Sequence, residues 1–499
     1  MQKKTIRAVS MILAALMAAP MLFACGKKPV DSAAATDDPA DTTPKVEELE
    51  VPDTKYDGAE FHILTAGHVA YMDFGFTAED ETILGQAQYK REQTVNQSYD
   101  VVIKVTQAEE KKSTNGAGPG WRNINKAVSS SSVDYHLGII GGYDVSNLAE
   151  ANNLYDLNSL KHIDTSKSWW DQNANNDLTI NGMLFYTNGS LTAAYSESTF
   201  VIYVNKALAT AELGADVDLY QMVKDGKWTI DKLAEYSRTI SEDLNGDDKM
   251  DGNDKYGLYV WDDSMLGMMG AAGTKSATVQ EDGTIALTLY NDNTINMFNK
   301  FIDIATDTAY ACQYQRAALK PAEGAIAAFQ NGKALFWQTS NTNTKNLRDM
   351  EADFGVLPYP KLSEDQDRYY STIAPYNSQF ICVPLYLDGQ EEYVGHITEA
   401  LAYHGQKITW PACYEQTLKG SFARDEGTYD MLDIIYNNYG YDIGYYYQVG
   451  GFTSVLMNLL RQSDRGFASK YEASAPAAEA ELKAINDNYK IVLEWWTQD

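Results

Sequence analysis

From residue 59 onward, short runs of β-branched and aromatic residues alternate with segments whose apolar positions recur every three to four residues. Residues 59–65 (AEFHILT), 100–105 (DVVIKV) and 135–140 (YHLGII) are predicted strands, bounded by polar and turn-forming residues. Between them a helical pattern runs as far as Asn96, and a second one places Trp121, Ile124 and Val128 on one face. Strands that alternate with helices predict an α/β architecture with a parallel sheet covered on both sides. Ligands of such sheets sit beyond the carboxyl ends of the strands, where Gly141, Gly142, Tyr143 and Asp144 follow the third run.

The same alternation continues. A helix predicted over 322–331 stops at Gly332, a residue able to take the left-handed conformation that ends helices, and residues 333–338 (KALFWQ) follow as a strand. A helix over 391–404 turns Tyr393, Val394, Ile397 and Leu401 inward, and the last helix uses Leu482, Ile485, Tyr489, Val492 and Trp496. Residues 191–206 (LTAAYSESTFVIYVNK) place small side chains ahead of a β-branched, aromatic run, as an extended connection becoming a strand of a new lobe would. The similar stretch 376–387 (YNSQFICVPLYL) reads as the return crossing. No internal repeat recurs.

The N-terminus has a different pattern. Lys3, Lys4 and Arg7 precede an apolar stretch from Ala8 to Ala24 that closes on LFAC at residues 22–25. That stretch falls short of the roughly 20 residues that span a bilayer, and Pro20 interrupts it, so it reads as an export signal and not as an anchor. It resembles the lipobox of bacterial lipoproteins, which implies removal of residues 1–24 and a diacylglycerol on the thiol of Cys25. Residues 25–55 carry Pro29, Pro39, Pro44 and Pro52 and no aromatic residue, the composition of a flexible tether with a reach on the order of 30 Å.

Composition narrows the function. At 499 residues the chain exceeds what one hydrophobic core usually organises, which predicts two lobes. Its net charge of −29 repels phosphate backbones and anionic headgroups and argues against nucleic-acid binding. Beyond Cys25 only Cys312, Cys382 and Cys413 remain, too few and too scattered for a disulfide framework or a cysteine zinc site. Buried free thiols are the default reading, with a Cys312 to Cys413 bridge left open by spacing.

Four blocks in this order resemble the extracellular solute-binding lipoproteins of bacterial ATP-driven (ABC) importers, the sugar-binding, family 1-like class: residues 135–160, 185–209, 325–337 (AIAAFQNGKALFW) and 353–361 (DFGVLPYPK). The resemblance implies a two-lobed, periplasmic-binding-protein-like (type II) fold with hinge crossings. One lobe would combine 56–191 with 379–417, and the other 203–375 with 425–499. It further implies a monomer tethered outside the cytoplasm that closes on a small polar solute, foremost a mono- or oligosaccharide, and presents it to a membrane permease. Tyrosine is abundant, 34 against 15 Phe, and rings with a polar tip suit half-buried surfaces and sugar faces. Candidate binding residues are Tyr143, Glu197 in the first crossing, Trp261 and Asp262 after the run YGLYV, Trp337, and Tyr376 in the second crossing, with carboxylates accepting hydroxyl hydrogen bonds. The alternative for each ring is ordinary packing; Trp169 and Trp170 are weaker candidates.

Residues 243–254 (DLNGDDKMDGND) space oxygen ligands as a calcium loop does: Asp243, Asn245, Asp247, the backbone carbonyl of Lys249, Asp251 and Asp254. The loop resembles those of EF-hands and dockerins but departs from them with Asp248 at the usual glycine and Asp254 at the usual glutamate. A structural Ca2+ and a solvated acidic turn are the two readings. Rival functions are a cell-surface carbohydrate-active enzyme and a lipoprotein that presents ligand to a sensor. Against the enzyme, no G-x-S-x-G, H-E-x-x-H or phosphate-loop motif occurs, and the six histidines lack metal-ligand spacing.

Overall fold

The computed structural model describes residues 47–69, 72–108, 116–192, 197–413 and 426–496. The leader, Cys25 and most of the tether lie outside the described residues, as do 193–196 of the first crossing and 414–425. All described residues belong to one compact unit, 47–499.

Two sheets organise that unit. In the first, Ala59–Ala66 lies between Val101–Gln107 and Leu137–Gly141, parallel to both. Gln379–Cys382, remote in sequence, adds antiparallel to Leu137–Gly141 and carries Tyr186–Thr187 on its far side. All of Leu137–Gly141 is buried, as a central strand covered on both faces must be, whereas the edge strand Val101–Gln107 is largely open after its first residue. The predicted strands at 59–65, 100–105 and 135–140 are therefore all present, shifted by one or two residues. Thr82 caps the helix Ile83–Tyr99 by accepting from Gly85 N at 3.0 Å, and Asp100, at φ 50°, ends it.

The second sheet runs Ala311–Gln313, Lys255–Val260, Ala334–Ser340, Phe200–Asn205 and Phe354–Leu357, with Ser241–Glu242 paired to Lys255–Val260. The register aligns Cys312, Tyr259, Trp337, Tyr203 and Val356 across it, one residue per strand. All five are buried in a core with Phe329, whose ring centroid lies 5.5 Å from Trp337. The helix Gly324–Gln330 precedes Gly332, which has φ +73° as its place before the strand requires. Cys312, Cys382 and Cys413 are buried and form no disulfide among the described residues; burial pushes the Cys312 thiol up to about 12.

The helix Glu391–His404 matches its expected bounds, with Val394, Ile397 and Leu401 fully buried. On it Glu399, only 2% exposed, accepts Trp169 Nε1 at 2.8 Å and Trp170 Nε1 at 2.9 Å, so one carboxylate fixes two adjacent indoles. Burial pushes Glu399 up to about 7 in spite of the two indole donors. The last helix, Phe467–Trp496, buries Leu482, Ile485, Tyr489 and Val492; the side chain of Trp496 lies outside the described residues. Its Asn486 pairs with the backbone of Ile285, and Asn488 with Asn152 and the carbonyl of Glu150.

Replacing Glu399 by Ala strands two buried indole N–H groups at about 1–3 kcal/mol each, so urea unfolding at pH 6 should show a loss of about 2–5 kcal/mol. Glu399→Gln, which keeps an acceptor, should lose less.

Candidate functional site

The chain leaves the first sheet after Thr187, enters the second at Phe200, and returns between Leu357 and Gln379. The two connections are bonded to each other. Thr199 bridges Ile373, Ala374 N donates to Ser198 O at 2.8 Å, and Ser198 Oγ donates to Asn377 O at 2.9 Å. Asn341 N then donates to Thr199 O at 2.8 Å, and Asn377 Nδ2 to Ser340 Oγ at 3.2 Å. Ser198, Thr199, Ala374, Asn377 and Ser378 are all buried, so these bonds operate without competing water. Phe200 pairs with Ser340, the last residue of its strand, and Gln379 pairs with Gly141, the last of its own. The crossings thus join the carboxyl edges of both sheets, where ligands of α/β sheets collect.

At the first of these edges the backbones approach closely. A Cβ on Gly67, at φ +152°, would lie 3.0 Å from Gly141 N, and one on Gly142 would lie 2.3 Å from Ser378 Oγ. Gly142 N donates to Ser378 O at 3.1 Å, fixing the helix Gly142–Glu150 against the second crossing. This helix carries Tyr143 within electrostatic range of Asp263 and Tyr376. Burial, then the charges of Asp263 and Tyr376, raise the Tyr143 hydroxyl above its ordinary value, and burial and Asp263 do the same to Tyr376. The His68 ring lies 5.3 Å from that of Tyr376.

The opposite edge supplies Trp261, Asp262 and Asp263, which follow Lys255–Val260. Trp261 packs 6.0 Å from the Phe200 ring. Asp262 N donates to Gln315 Oε1 at 2.7 Å, and the Asp262 carboxylate, 2% exposed, is ion-paired with Arg461. Asp263 is held well above the usual carboxylate range by burial and by the adjoining charge of Asp262, with Arg461 opposing. In the first crossing, burial pushes Glu197 up to about 7; Lys345, at 3.9 Å, opposes this and the Asp73 charge adds to it. Glu197 Oε2 and Trp261 Nε1 are buried without a hydrogen-bond partner among the described residues.

The structure brings Tyr143 and Tyr376 to Asp263, whose chain neighbours are Trp261 and Asp262, and sets Glu197 beside Asp73 and Lys345. Trp337 lies elsewhere, 1% exposed in the aromatic row of the second sheet, where its area serves the core. Sequence reasoning missed Asp263, His68, Asp73, Lys345 and Arg461. The doubled aspartate of WDDS was a usable signal for Asp263; nothing local marks Arg461, which comes from a helix two hundred residues further on. The edges together offer rings for apolar faces and carboxyl oxygens for hydroxyl or amine donors, a combination suited to binding a small polar solute.

The acidic loop turns on its own side chains. Asp243 accepts Gly246 N at 2.7 Å and Asp248 N at 2.8 Å, Asn245 accepts Asp247 N, and Asp247 accepts Lys249 N. Asp254, fully buried, accepts Leu244 N at 3.0 Å and Asp251 N at 2.7 Å. Asp248 takes φ +63°, the conformation that glycine ordinarily supplies at this place. Among the described residues no group of three or more His, Cys, Asp or Glu is placed to hold a metal ion.

Two outcomes follow. The folded state binds the Glu197 proton more tightly than the unfolded chain, so its stabilising contribution is complete below about pH 4.5 and is lost as pH rises through about 7. Glu197→Gln should flatten the decline of urea stability between about pH 5 and 8 by up to about 1.4 kcal/mol per pH unit, the limit for one proton. For the acidic loop, calorimetry of chelator-stripped protein in millimolar calcium separates a turn that closes only on itself, with no heat of binding, from one that also takes up an ion.

No protein-family model matches the sequence, and no curated protein matches it. Solved structures do. A family 1 extracellular solute-binding protein from Bifidobacterium longum subsp. infantis superposes with a TM-score of 0.53 at 12% identity, over 87% of this chain and 100% of that one. The GacH receptor of Streptomyces glaucescens, solved unliganded and with acarbose, gives 0.53 at 12% identity over 86% and 99%. UgpB of Mycobacterium tuberculosis, in complex with glycerophosphocholine, gives 0.53 at 12% over 88% and 99%. The chain therefore has the two-lobed α/β fold of the ABC-importer solute-binding proteins, as its sequence blocks implied.

Proposed function

We propose that this protein captures a small polar solute, foremost a mono- or oligosaccharide, between the carboxyl edges of its two sheets and delivers it unchanged to the permease of an ABC importer. The observation that carries this reading is the pair of hydrogen-bonded crossings at the junction of those edges, with Tyr143 and Tyr376 from one side meeting Asp263 from the other. Rotation about the crossings opens and shuts the gap, and solute shifts the balance only by the contacts it makes with both edges at once. Trp261, Tyr143 and Tyr376 supply ring area, and Glu197 and Asp262 accept donors from the solute. GacH with acarbose and UgpB with glycerophosphocholine, similar in fold, support a hydroxyl-rich ligand.

In this reading the chain makes and breaks no bond. It acts as a monomer outside the cytoplasm, held to the membrane through Cys25 and its tether; among the described residues no helix is long and apolar enough to cross a membrane. Sensing in place of import uses the same capture step, and deletion separates them: lost uptake supports import, and lost signalling with intact uptake supports sensing.

A thermal-shift screen tests the ligand class. A saccharide at 100 times its Kd should add about 2.7 kcal/mol of apparent stability, and Trp261→Ala should remove most of the shift. Stabilisation by peptides and by no saccharide would overturn the sugar assignment, and conversion of a bound oligosaccharide to products would overturn the binding-protein reading.

A further inference from the structure

A cavity of about 200 Å3 is lined by none of the candidate residues named above for the sheet edges. Its walls come from the helix Gln172–Leu178, which packs beside Tyr186–Thr187 of the first sheet, from the end of the helix Ser264–Ala271, which follows a strand of the second, and from the short paired strands Ser371–Thr372 and Tyr439–Gly440. A second cavity of about 300 Å3 shares Asn173, Asn437 and Tyr439 with it, so the two form one groove of a size that takes a small ligand. Trp169, Trp170 and Trp410 line the second part.

Three features define what the groove would accept. The charged groups on its wall are already engaged: Lys275 with Asp177, Arg368 with Asp367 at 3.3 Å and over the Tyr370 ring at 5.0 Å, and Asp442 with Ser276 Oγ at 2.6 Å. The rings are fixed beforehand, because Asp171 Oδ2 accepts Tyr439 OH and Tyr441 OH, each at 2.7 Å, while Oδ1 of the same carboxylate caps the helix that carries Asn173. Ser371 Oγ is buried without a partner among the described residues, and the exposed side-chain amides of Asn173 and Asn437 line both cavities. Rings held in place, amides and a buried hydroxyl suit the apolar face and the hydroxyl edge of a sugar.

We propose that this groove is a second carbohydrate site, which takes a mono- to trisaccharide independently of the cleft. Asn173 and Asn437 bind its hydroxyls, Ser371 adds a buried hydroxyl contact, and Tyr370 and Tyr439 present ring surface.

Saturation-transfer NMR and calorimetry with glucose, galactose, maltotriose and cellotriose test it on the full folded chain. The double variant Asn173→Ala/Asn437→Ala changes two exposed side chains, so its melting point should stay unchanged. It should lose saccharide binding at one site by at least about tenfold, while Trp261→Ala, a cleft variant, leaves that site intact. The proposal is overturned if none of the four saccharides binds, if the double variant binds all four as the wild type does, or if Trp261→Ala alone abolishes every signal. Ser371→Ala gives a second reading: weaker binding at the same site supports the assignment, and an unchanged isotherm removes Ser371 from it.

Discussion

Two buried chain segments bonded to each other determine what this molecule can do. Ser198 and Thr199 on the way out and Ile373, Ala374 and Asn377 on the way back share hydrogen bonds that no water competes for. Because each segment starts or ends against the last residue of a central strand, Gly141 in one sheet and Ser340 in the other, the carboxyl edges of both sheets end at the same junction. In the proposed reading this junction is the hinge about which the halves turn. Segments far apart in sequence, 67–69, 141–144, 261–263 and 341–345, are thereby brought to the strand ends on either side of the junction.

The electrostatics of that gap follow from burial. Carboxyls at Glu197, Asp262 and Asp263 sit at or near it, with Lys345 and Arg461 as partial counter-charges. Protonation of Glu197 and Asp263 is favoured because a solvated anion cannot be maintained there. A guest that donates hydrogen bonds replaces the water these oxygens lack, and an anionic guest meets the same repulsion that already raises them.

Much of the fold was legible because burial on both faces leaves a strong mark: runs such as LGII and ALFW are continuous apolar segments and could be placed within two residues. The site was less so. Tyr143 was proposed from its strand-end loop and Tyr376 from the second crossing; Trp337, proposed from within its strand, is a core residue, because the register that sets it between Tyr259 and Tyr203 is a property of three separate strands. Arg461 and Asp171 act through contacts formed by chain segments hundreds of residues apart, and no local pattern encodes those.

The central claim is that the two sheets close on a solute by turning about the paired crossings. Spin labels at exposed positions, one on the helix Ile83–Tyr99 and one on the helix Lys206–Leu213, report the separation of the two halves by pulsed electron resonance. Addition of a saccharide that stabilises the protein should shorten that distance by several ångströms or narrow its distribution to the shorter component. An identical distance distribution with and without saturating bound saccharide would contradict the account.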